Sequence, residues 1–461
     1  MITLHDYQNK LISDARSEFQ TGAKGVLMWL ATGGGKTVLA AYMISKIASS
    51  QQKVWFVVHR EELIKQTIKT LTRFNIRHGV MAAGWPADYN AHVQICSIMS
   101  IKSRYTKYQA PSWIFWDECQ FMGAKSWSNT YNLYPSARHI GLSATPVRLD
   151  GKGFDSFFNK IVHGPSINWL ISNKFLSDYT IFAPTNFSTD GIKKTAGDFD
   201  SKQIAEAMNK PTIIGDCFEQ WSKYASKLQT IAFSPNILFS EGLVDKFKAQ
   251  GVNACHVDGT TPSSDREKII QDYSSGKIQF LSNCNLFTEG FDVPNIGCIL
   301  DAAPTMSIAR HLQKNGRGLR TAQGKDKLIV LDQWNGYLRH GLIDDERDWS
   351  LEGRNKTNKK GNKNEAPTKR CPTCFAANSS FNAYCTNCGT PFEIKKRTGP
   401  DQIDGDLAEV DKAEFRKMKK IEERKAQSLE ELIEIGVARG YKNPAFWAKM
   451  KFNNGWRGKK K

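Results

Sequence analysis

The chain has 461 residues, 40% of them hydrophobic and 24% charged, and its 64 Lys and Arg outnumber its 46 Asp and Glu to leave a net charge of +18. That length holds two or three domains with sizeable cores. No run of about 18 apolar residues is present to cross a bilayer, and Met1-Ile-Thr-Leu-His-Asp6 lacks the basic-then-apolar build of a signal peptide. These features exclude a membrane-spanning or secreted reading, predict a cytoplasmic protein without a membrane partner, and point to a ligand of dense negative charge, most simply nucleic acid.

Residues 1–24 carry Tyr7-Gln8 ahead of an amphipathic helical pattern through Leu11, Ile12, Ala15 and Phe19. Such a pair, upstream of a phosphate loop, can stack beside an adenine and hydrogen-bond it; taken alone it is a helix start. The apolar run Gly25-Val-Leu-Met-Trp-Leu30 reads as a short buried strand. Ala31-Thr32-Gly33-Gly34-Gly35-Lys36-Thr37 follows, and then a helical stretch to Ile47. Strand, glycine turn and helix together make a phosphate loop. The turn lets successive backbone N–H groups curl around a phosphate, and the helix N-terminus adds its positive dipole end. Lys36 would reach the β- and γ-phosphates, and the Thr37 hydroxyl would ligate Mg²⁺. One position departs from the general pattern, which places a glycine six residues before the lysine, where this chain has Leu30.

Lys53-Val-Trp-Phe-Val-Val58 is a continuous apolar run of the kind buried on both faces of a parallel sheet. It leads through His59-Arg60-Glu61-Glu62 into a helix. Val93–Ile98 and Trp113–Trp116 are again strand-like, and the latter ends in Asp117-Glu118-Cys119-Gln120. Ligands of open α/β sheets sit at the carboxyl ends of the strands, so Asp117 is placed to hold Mg²⁺ and Glu118 to polarise an attacking water. His139-Ile-Gly-Leu-Ser143-Ala144-Thr145-Pro146 is another strand, ending in small hydroxyl residues that suit a hinge. A doubly wound parallel domain is predicted over residues 1–165.

Residues 166–225 read as a helical and looped connector, and strand patterns restart at Gln229, Ala254, Ile278, Gly297 and Leu328. They predict a second parallel α/β domain over 226–345, without a phosphate loop, that closes over the first. It carries Thr288-Glu-Gly290-Phe-Asp292-Val-Pro294 and Gln313-Lys-Asn-Gly316-Arg317-Gly318-Leu-Arg320. Arginines three apart on a helix share a face. Arg317 and Arg320 would therefore point together into an interlobe cleft, as fingers on a γ-phosphate or as a basic face for solvent or nucleic acid.

Roughly two thirds of the excess charge lies after residue 353. Residues 346–370 form a basic linker rich in Lys, Asn and Gly. Cys371-Pro-Thr-Cys374 and Cys385-Thr-Asn-Cys388 then supply four thiolates at the spacing of one tetrahedral Zn²⁺ site, in a module over 371–392 too small to fold without metal; a redox pair would need only one of the two knuckles. Over 393–461 a charged stretch from Asp406 to Gln427 predicts a solvated helix. Ser428-Leu-Glu-Glu431 is a capping box, and Tyr441, Phe446, Trp447, Phe452 and Trp456 alternate with lysines. The aromatics make either a stacking platform for nucleic acid or the core of a small helical hairpin.

Ala31–Thr37, Asp117–Gln120, Ser143–Thr145, Thr288–Pro294 and Gln313–Arg320 resemble, in order, motifs I, II, III, V and VI of the superfamily-two helicases (DEAD/DEAH-box, DExH-like). His59–Gln66 is similar to motif Ia, and Tyr7-Gln8 to the adenine-reading glutamine motif. The nearest look-alikes are the bacterial RadD-type DNA repair helicases and their bacteriophage relatives, which share a C-terminal four-cysteine module and replace the same first glycine. The resemblance implies an α/β fold of two RecA-like lobes (a P-loop NTPase helicase core) with a zinc ribbon and a basic helical tail, ATP between the lobes and a nucleic-acid strand across both. It assigns Gln8 to adenine, Thr32 and Gly33–Gly35 to the phosphates, Gly290, Asp292 and Gln313 to the nucleotide with Asp292 on the ribose, and Arg60, Thr145 and Thr288 to the strand. Motif II ends in Gln120 where the family has His or Asp, the residue that couples hydrolysis to strand binding through Ser143 and Thr145. The expected activity is an ATP-dependent helicase or translocase on single-stranded or branched DNA in recombination, repair or replication. Its location would be the bacterial host cytoplasm or nucleoid, its state a monomer, and its protein partners single-stranded-DNA-binding or recombination proteins. An RNA helicase, or a zinc-containing nucleic-acid adaptor with a vestigial ATPase, stays open as an alternative.

Overall fold

The structure is a computed structural model that describes residues 2–148, 152–184, 194–195, 198–200, 203–204, 208, 211–284, 286–287, 293–352, 368–370, 377–379, 407–409, 412–426, 428–439, 441 and 443–456. Thr288, Gly290 and Asp292, and the four cysteines Cys371, Cys374, Cys385 and Cys388, lie outside the described residues.

Lobe 1 begins with α1 (Asp6–Gln20), β1 (Gly25–Trp29), α2 (Lys36–Ser49), β2 (Val54–Val58) and α3 (Glu61–Arg73). It continues with β3 (His78–Met81), β4 (Val93–Ser97), α4 (Ile98–Arg104), β5 (Trp113–Asp117), α5 (Lys125–Leu133), β6 (Arg138–Ser143) and β7 (Lys160–His163). The sheet order is β3-β4-β2-β5-β6-β1-β7, parallel throughout. All five residues of β1 and of β2 are buried, because helices cover both faces, and this is why these strands read as unbroken apolar runs. Chain order reverses between β1 and β2, which β5 and β6 separate. The carboxyl ends of β1, β5 and β6 thus open on one crevice.

After α6 (Ile167–Ser172), lobe 2 comprises β8 (Asp178–Pro184), α7 (Pro211–Ala225), β9 (Thr230–Phe233), α8 (Ile237–Ala249), β10 (Ala254–Val257), α9 (Ser263–Ser274) and β11 (Phe280–Asn283). Then come β12 (Cys298–Asp301), α10 (Ile308–Gly318), β13 (Lys327–Asp332), α11 (Gly336–His340) and, much later, β14 (Leu407–Glu409). The order is β10-β11-β9-β12-β13-β8-β14, and only β14, at the edge, is antiparallel. The connector expected over 166–225 is therefore largely lobe 2: β8 pairs in parallel with β13, and Cys217 and Trp221 of α7 are buried in the lobe 2 core. One hydrophobic cluster runs from Trp29 and Leu170 of the first lobe through Leu176 to Ile231 and Leu328 of the second, so the lobes share apolar contact.

Three C-terminal helices follow, α12 (Lys412–Lys425), α13 (Leu429–Ala438) and α14 (Pro444–Trp456). The first is not the solvated helix expected. Phe415 is buried against Tyr337, and Lys412, Arg416 and Lys419 pair with Asp178, Asp344 and Asp345 of lobe 2 at 2.8, 2.7 and 2.7 Å. The other two form a hairpin around Leu432, Gly436 and Ala448, with Tyr441 against Trp447 at 4.9 Å, while Phe446 stays exposed. Trp447 thus serves the hairpin core. Among the described residues no helix is long and apolar enough to cross a membrane.

Candidate active site between the lobes

The phosphate loop lies between β1 and α2, with Gly35 capping the helix at φ +85°. A Cβ at Gly35 would come within 2.5 Å of the Gln8 side-chain nitrogen, so both the backbone conformation and the close approach require glycine. Gln8 donates from Nε2 to the Gly34 carbonyl at 3.3 Å and accepts at Oε1 from the His5 N–H at 3.0 Å. The Tyr7 hydroxyl donates to the same Gly34 carbonyl at 3.0 Å. Tyr7 and Gln8 therefore brace the loop itself. Beside them stand Phe175, 5.1 Å from Tyr7, and Trp169, 5.9 Å away and 41% exposed. These two rings escaped the sequence reading. An aromatic pair just past β7 was their only signal.

Lys36 donates from Nζ to the Leu30 carbonyl at 3.2 Å, which gives the departing Leu30 position a backbone role. Desolvation in the cleft pulls the Lys36 ammonium below its usual range. Glu118 and Asp117 oppose that shift, and Arg317 and Arg320 deepen it. Five charged groups from three parts of the chain thus converge on one point.

At the end of β5, desolvation and the neighbouring Glu118 push the Asp117 carboxyl up to about 7, against the pull of Lys36 and His59. A divalent cation would relieve this pair, so the donor set fits Mg²⁺ at Asp117 and Thr37. Glu118 holds φ +52° and ψ +51°. This left-handed conformation costs a non-glycine residue on the order of 1–2 kcal/mol and turns its carboxylate into the cleft. There Glu118 Oε2 accepts from Gln120 Nε2 at 2.6 Å and from Gln313 Nε2, across the cleft, at 3.3 Å. Gln120 Oε1 in turn accepts from the Ser143 hydroxyl at 2.8 Å, and Ser143 Oγ accepts from the Thr145 N–H at 3.1 Å. An unbroken hydrogen-bond chain joins the end of β5 to the end of β6.

Lobe 2 closes on this site through α10. A Cβ at Gly316 would come within 2.5 Å of the Thr32 Cβ, so glycine lets the helix lie directly on the phosphate loop. Arg317 is buried at the helix end. Arg320 is not on the helix as expected: α10 stops at Gly318, packed under Leu328, and the chain bridges Leu176 at Arg320. The Arg320 side chain nevertheless reaches the loop, with its Cγ 3.6 Å from where a Gly33 Cβ would stand. On the other side of the cleft Arg60 donates to the Leu286 carbonyl at 3.1 Å, an interlobe bond. Thr145, expected beside the strand's phosphates, is fully buried. Among the described residues no group of three or more His, Cys, Asp and Glu is placed to hold a metal, and the six described cysteines are free.

Residues 1–148 match the family described as type III restriction enzyme, res subunit, and residues 209–322 match the helicase conserved C-terminal domain. Over 412 residues the chain is 30% identical to the 51.5 kDa protein of a Lactococcus phage, covering 89% of this chain and 88% of that one. The chain belongs to the superfamily-two helicases. It is also 30% identical over 352 residues to a protein of Saccharomyces cerevisiae named as the ATP-dependent helicase IRC3, covering 71% of this chain and 51% of that one. It is 25% identical over 379 residues to the DNA 3'-5' translocase XPB2 of Sulfurisphaera tokodaii, covering 72% and 81%. The two lobes superimpose on a fragment assigned to an HsdR subunit of a type I restriction enzyme from Vibrio vulnificus, with a TM-score of 0.60 and 19% identity over 74% of this chain and 66% of that one. This helicase therefore hydrolyses ATP in a nucleic-acid-dependent manner, and its helicase domains imply Mg²⁺ as the accompanying metal.

Proposed function

We propose that the helicase is a DNA motor acting on single-stranded or branched DNA in recombination, repair or replication. The observation that carries the catalytic part is the convergence of Lys36, Asp117, Glu118, Arg317 and Arg320 on the phosphate loop, with Gln313 joined to Glu118 across the cleft. Thr37 and Asp117 would hold Mg²⁺, which would supply charge neutralisation at the phosphates. Lys36 and the backbone of Thr32–Gly35 grip the phosphates, and Glu118 orients and takes a proton from the attacking water. Arg317 and Arg320 stabilise charge on the transferring phosphoryl group. Exchange of the Gln313–Glu118 contact for contacts to nucleotide couples lobe closure to occupancy. Gly290, Asp292 and Thr288 would complete the nucleotide and strand contacts from lobe 2. Arg60 would reach the strand when the lobes part, and Thr145 would act through Ser143.

DNA is favoured because a relative covered over most of its length is named a DNA translocase. A zinc module at Cys371, Cys374, Cys385 and Cys388 and a tail that adds sequence-independent phosphate contacts complete the reading. The paired strands Thr368–Arg370 and Ala377–Ser379, which bracket the first knuckle, support it.

The test is ATP hydrolysis by the purified chain alone and with single-stranded, duplex and branched DNA and single-stranded RNA, beside Lys36→Ala. Stimulation greatest on branched DNA and absent in Lys36→Ala is expected. Stimulation by RNA alone would replace DNA as the substrate. Metal analysis of the wild type and of Cys371→Ser tests the zinc module, with one equivalent of zinc expected only in the wild type.

A further inference from the structure

At the end of the lobe 1 sheet opposite the nucleotide, a cavity of about 360 Å³ opens between α1, α2 and the first residues of β5 and β6. Phe19, Tyr42 and Trp113 form its apolar wall, and Arg16, Lys46 and Arg138 stand around it. A second cavity, of about 530 Å³, adjoins it, shares Gln52, Trp113 and Arg138, and continues past Pro111 and Tyr134. Among the described residues no Asp or Glu lines either cavity.

The three cations have no carboxylate partner among the described residues, and two of them rest on rings. The Arg138 guanidinium lies 5.1 Å from the Trp113 centroid and the Lys46 ammonium 5.5 Å from that of Tyr42. Trp113 is itself fixed edge-on to Phe19 at 5.0 Å and donates from Nε1 to Gln52 at 2.7 Å. Lys46 and Arg138 are exposed over half-buried rings, so each contact is weakly held, whereas a phosphate oxygen offers a charge-assisted hydrogen bond. A phosphate would therefore draw these heads away and uncover the ring faces for stacking. Three cations and the half-buried rings of Tyr42 and Trp113 thus line one groove, the combination that takes a single strand of nucleic acid, with phosphates on cations and bases on rings.

We infer that this groove binds a segment of single-stranded nucleic acid at a second site, apart from the interlobe cleft. It rests on the chain acting on nucleic acid and is indifferent to DNA or RNA. The segment 52–60, with β2 at its centre, runs from the groove at Gln52 to the cleft at Arg60, about 25 Å at strand rise, so only a sufficiently long strand engages both sites.

The experiment is fluorescence anisotropy of the full chain with length series of labelled oligo-dT and oligo-U, over a range of salt. Arg16→Glu/Lys46→Glu/Arg138→Glu is compared with Lys227→Glu/Lys248→Glu/Lys268→Glu, three exposed lobe 2 cations that keep the net charge equal. Wild type and control are expected to gain affinity beyond a threshold length, and the groove variant to lose that gain. The salt slope of the groove variant should fall by roughly 2, from three lost contacts at about 0.7 each. Lys46→Gln/Arg138→Gln, which keeps the chain neutral at these sites, should lose part of the gain. Unstimulated ATP hydrolysis stays at the wild-type rate in each. Equal length dependence and equal slopes in groove and control variants would overturn the proposal. So would binding of an Asp-rich peptide at the groove that leaves oligonucleotide affinity untouched, since the ligand would then be a protein segment.

Discussion

Gln120 links the end of β5 to the end of β6 by hydrogen bonds. Its amide is bifunctional: Nε2 donates to Glu118 and Oε1 accepts from Ser143. The hydrogen-bond chain is therefore complete with Gln at the position where the resemblance implies His or Asp, because an amide spans donor and acceptor at once. A hydrogen bond to a charged group contributes about 1.5–3 kcal/mol, so Gln120→Ala should lower nucleic-acid-stimulated ATP hydrolysis roughly tenfold or more and lower the unstimulated rate less. Equal losses in both rates would show that the residue only positions Glu118. Single residues also set the acid limit of stability. Desolvation holds His139 and His340 near 4 and His311 well below its usual range. All three would be protonated in the unfolded chain below about 6.5, so their neutral burial costs stability as pH falls from 6.5 toward 4. Asp332, raised to about 6 by burial and Asp301, and Asp117, raised to about 7 by burial and Glu118, act in the opposite sense, since the folded chain holds their protons more tightly. The three histidines outnumber these two acids, and thermal unfolding midpoints should fall between pH 6.5 and 4.5. Asp332→Asn should steepen that fall, because its counterweight is removed; an unchanged slope would deny Asp332 this part.

Among the elements, α12 shows what a charge pattern hides. Lys412, Phe415, Arg416 and Lys419 are spaced 3, 1 and 3 apart and so share one helix face. That face docks on lobe 2 around buried Asp344, which also accepts from the Tyr179 hydroxyl. Read as charge alone, the segment looks solvated; read by spacing, the face was available. Arg416→Ala leaves Asp344 with one donor and should destabilise the chain by about 1–2 kcal/mol, since Arg416 itself is partly exposed. A double-mutant cycle with Asp344→Ala would check this, with a coupling near zero showing that the ion pair contributes nothing. The same contrast runs through the fold. The phosphate loop, β2, β5 and the acids at the end of β5 were legible because glycine turns, unbroken apolar runs and strand-end acids are local chemistry. β8 was not: its seven residues precede a polar stretch, and their partner β13 lies about 150 residues further on, so pairing decided it and pattern did not. Trp169 and Phe175 were hidden for the same reason, since only the folded chain carries them to Tyr7. Arg320 lies beyond the helix end at Gly318, where the chain bridges Leu176, a long-range pairing that spacing could not reveal.

The whole molecule is held with its lobes together by two sets of contacts on opposite sides of the cleft. On the nucleotide side α10 lies on the phosphate loop, with Gly316 on Thr32 and Gln313 on Glu118. On the other side the first turn of α3 meets the first turn of α9: Arg266 pairs with Glu62 at 2.8 Å, Lys65 pairs with Glu267, and Arg60 donates to Leu286. The Arg266–Glu62 pair is mostly shielded, 18% and 31% exposed, and is worth on the order of 1 kcal/mol to the closed arrangement. A motor that opens and closes with each ATP must keep such contacts weak enough to break, because a difference of a few kcal/mol already commits a two-state equilibrium to one side. Arg266→Glu sets two carboxylates face to face and should shift the lobes toward the open form, lowering stimulated ATP hydrolysis about fivefold and raising the radius of gyration in solution scattering. Glu62→Arg should act in the same direction, placing two cations together. Combining the two restores an ion pair of reversed sense and should recover most of the activity and the compact form. If the double variant is as impaired as either single one, the charges act on something other than each other, and the α3–α9 contact is not what holds that side of the cleft closed.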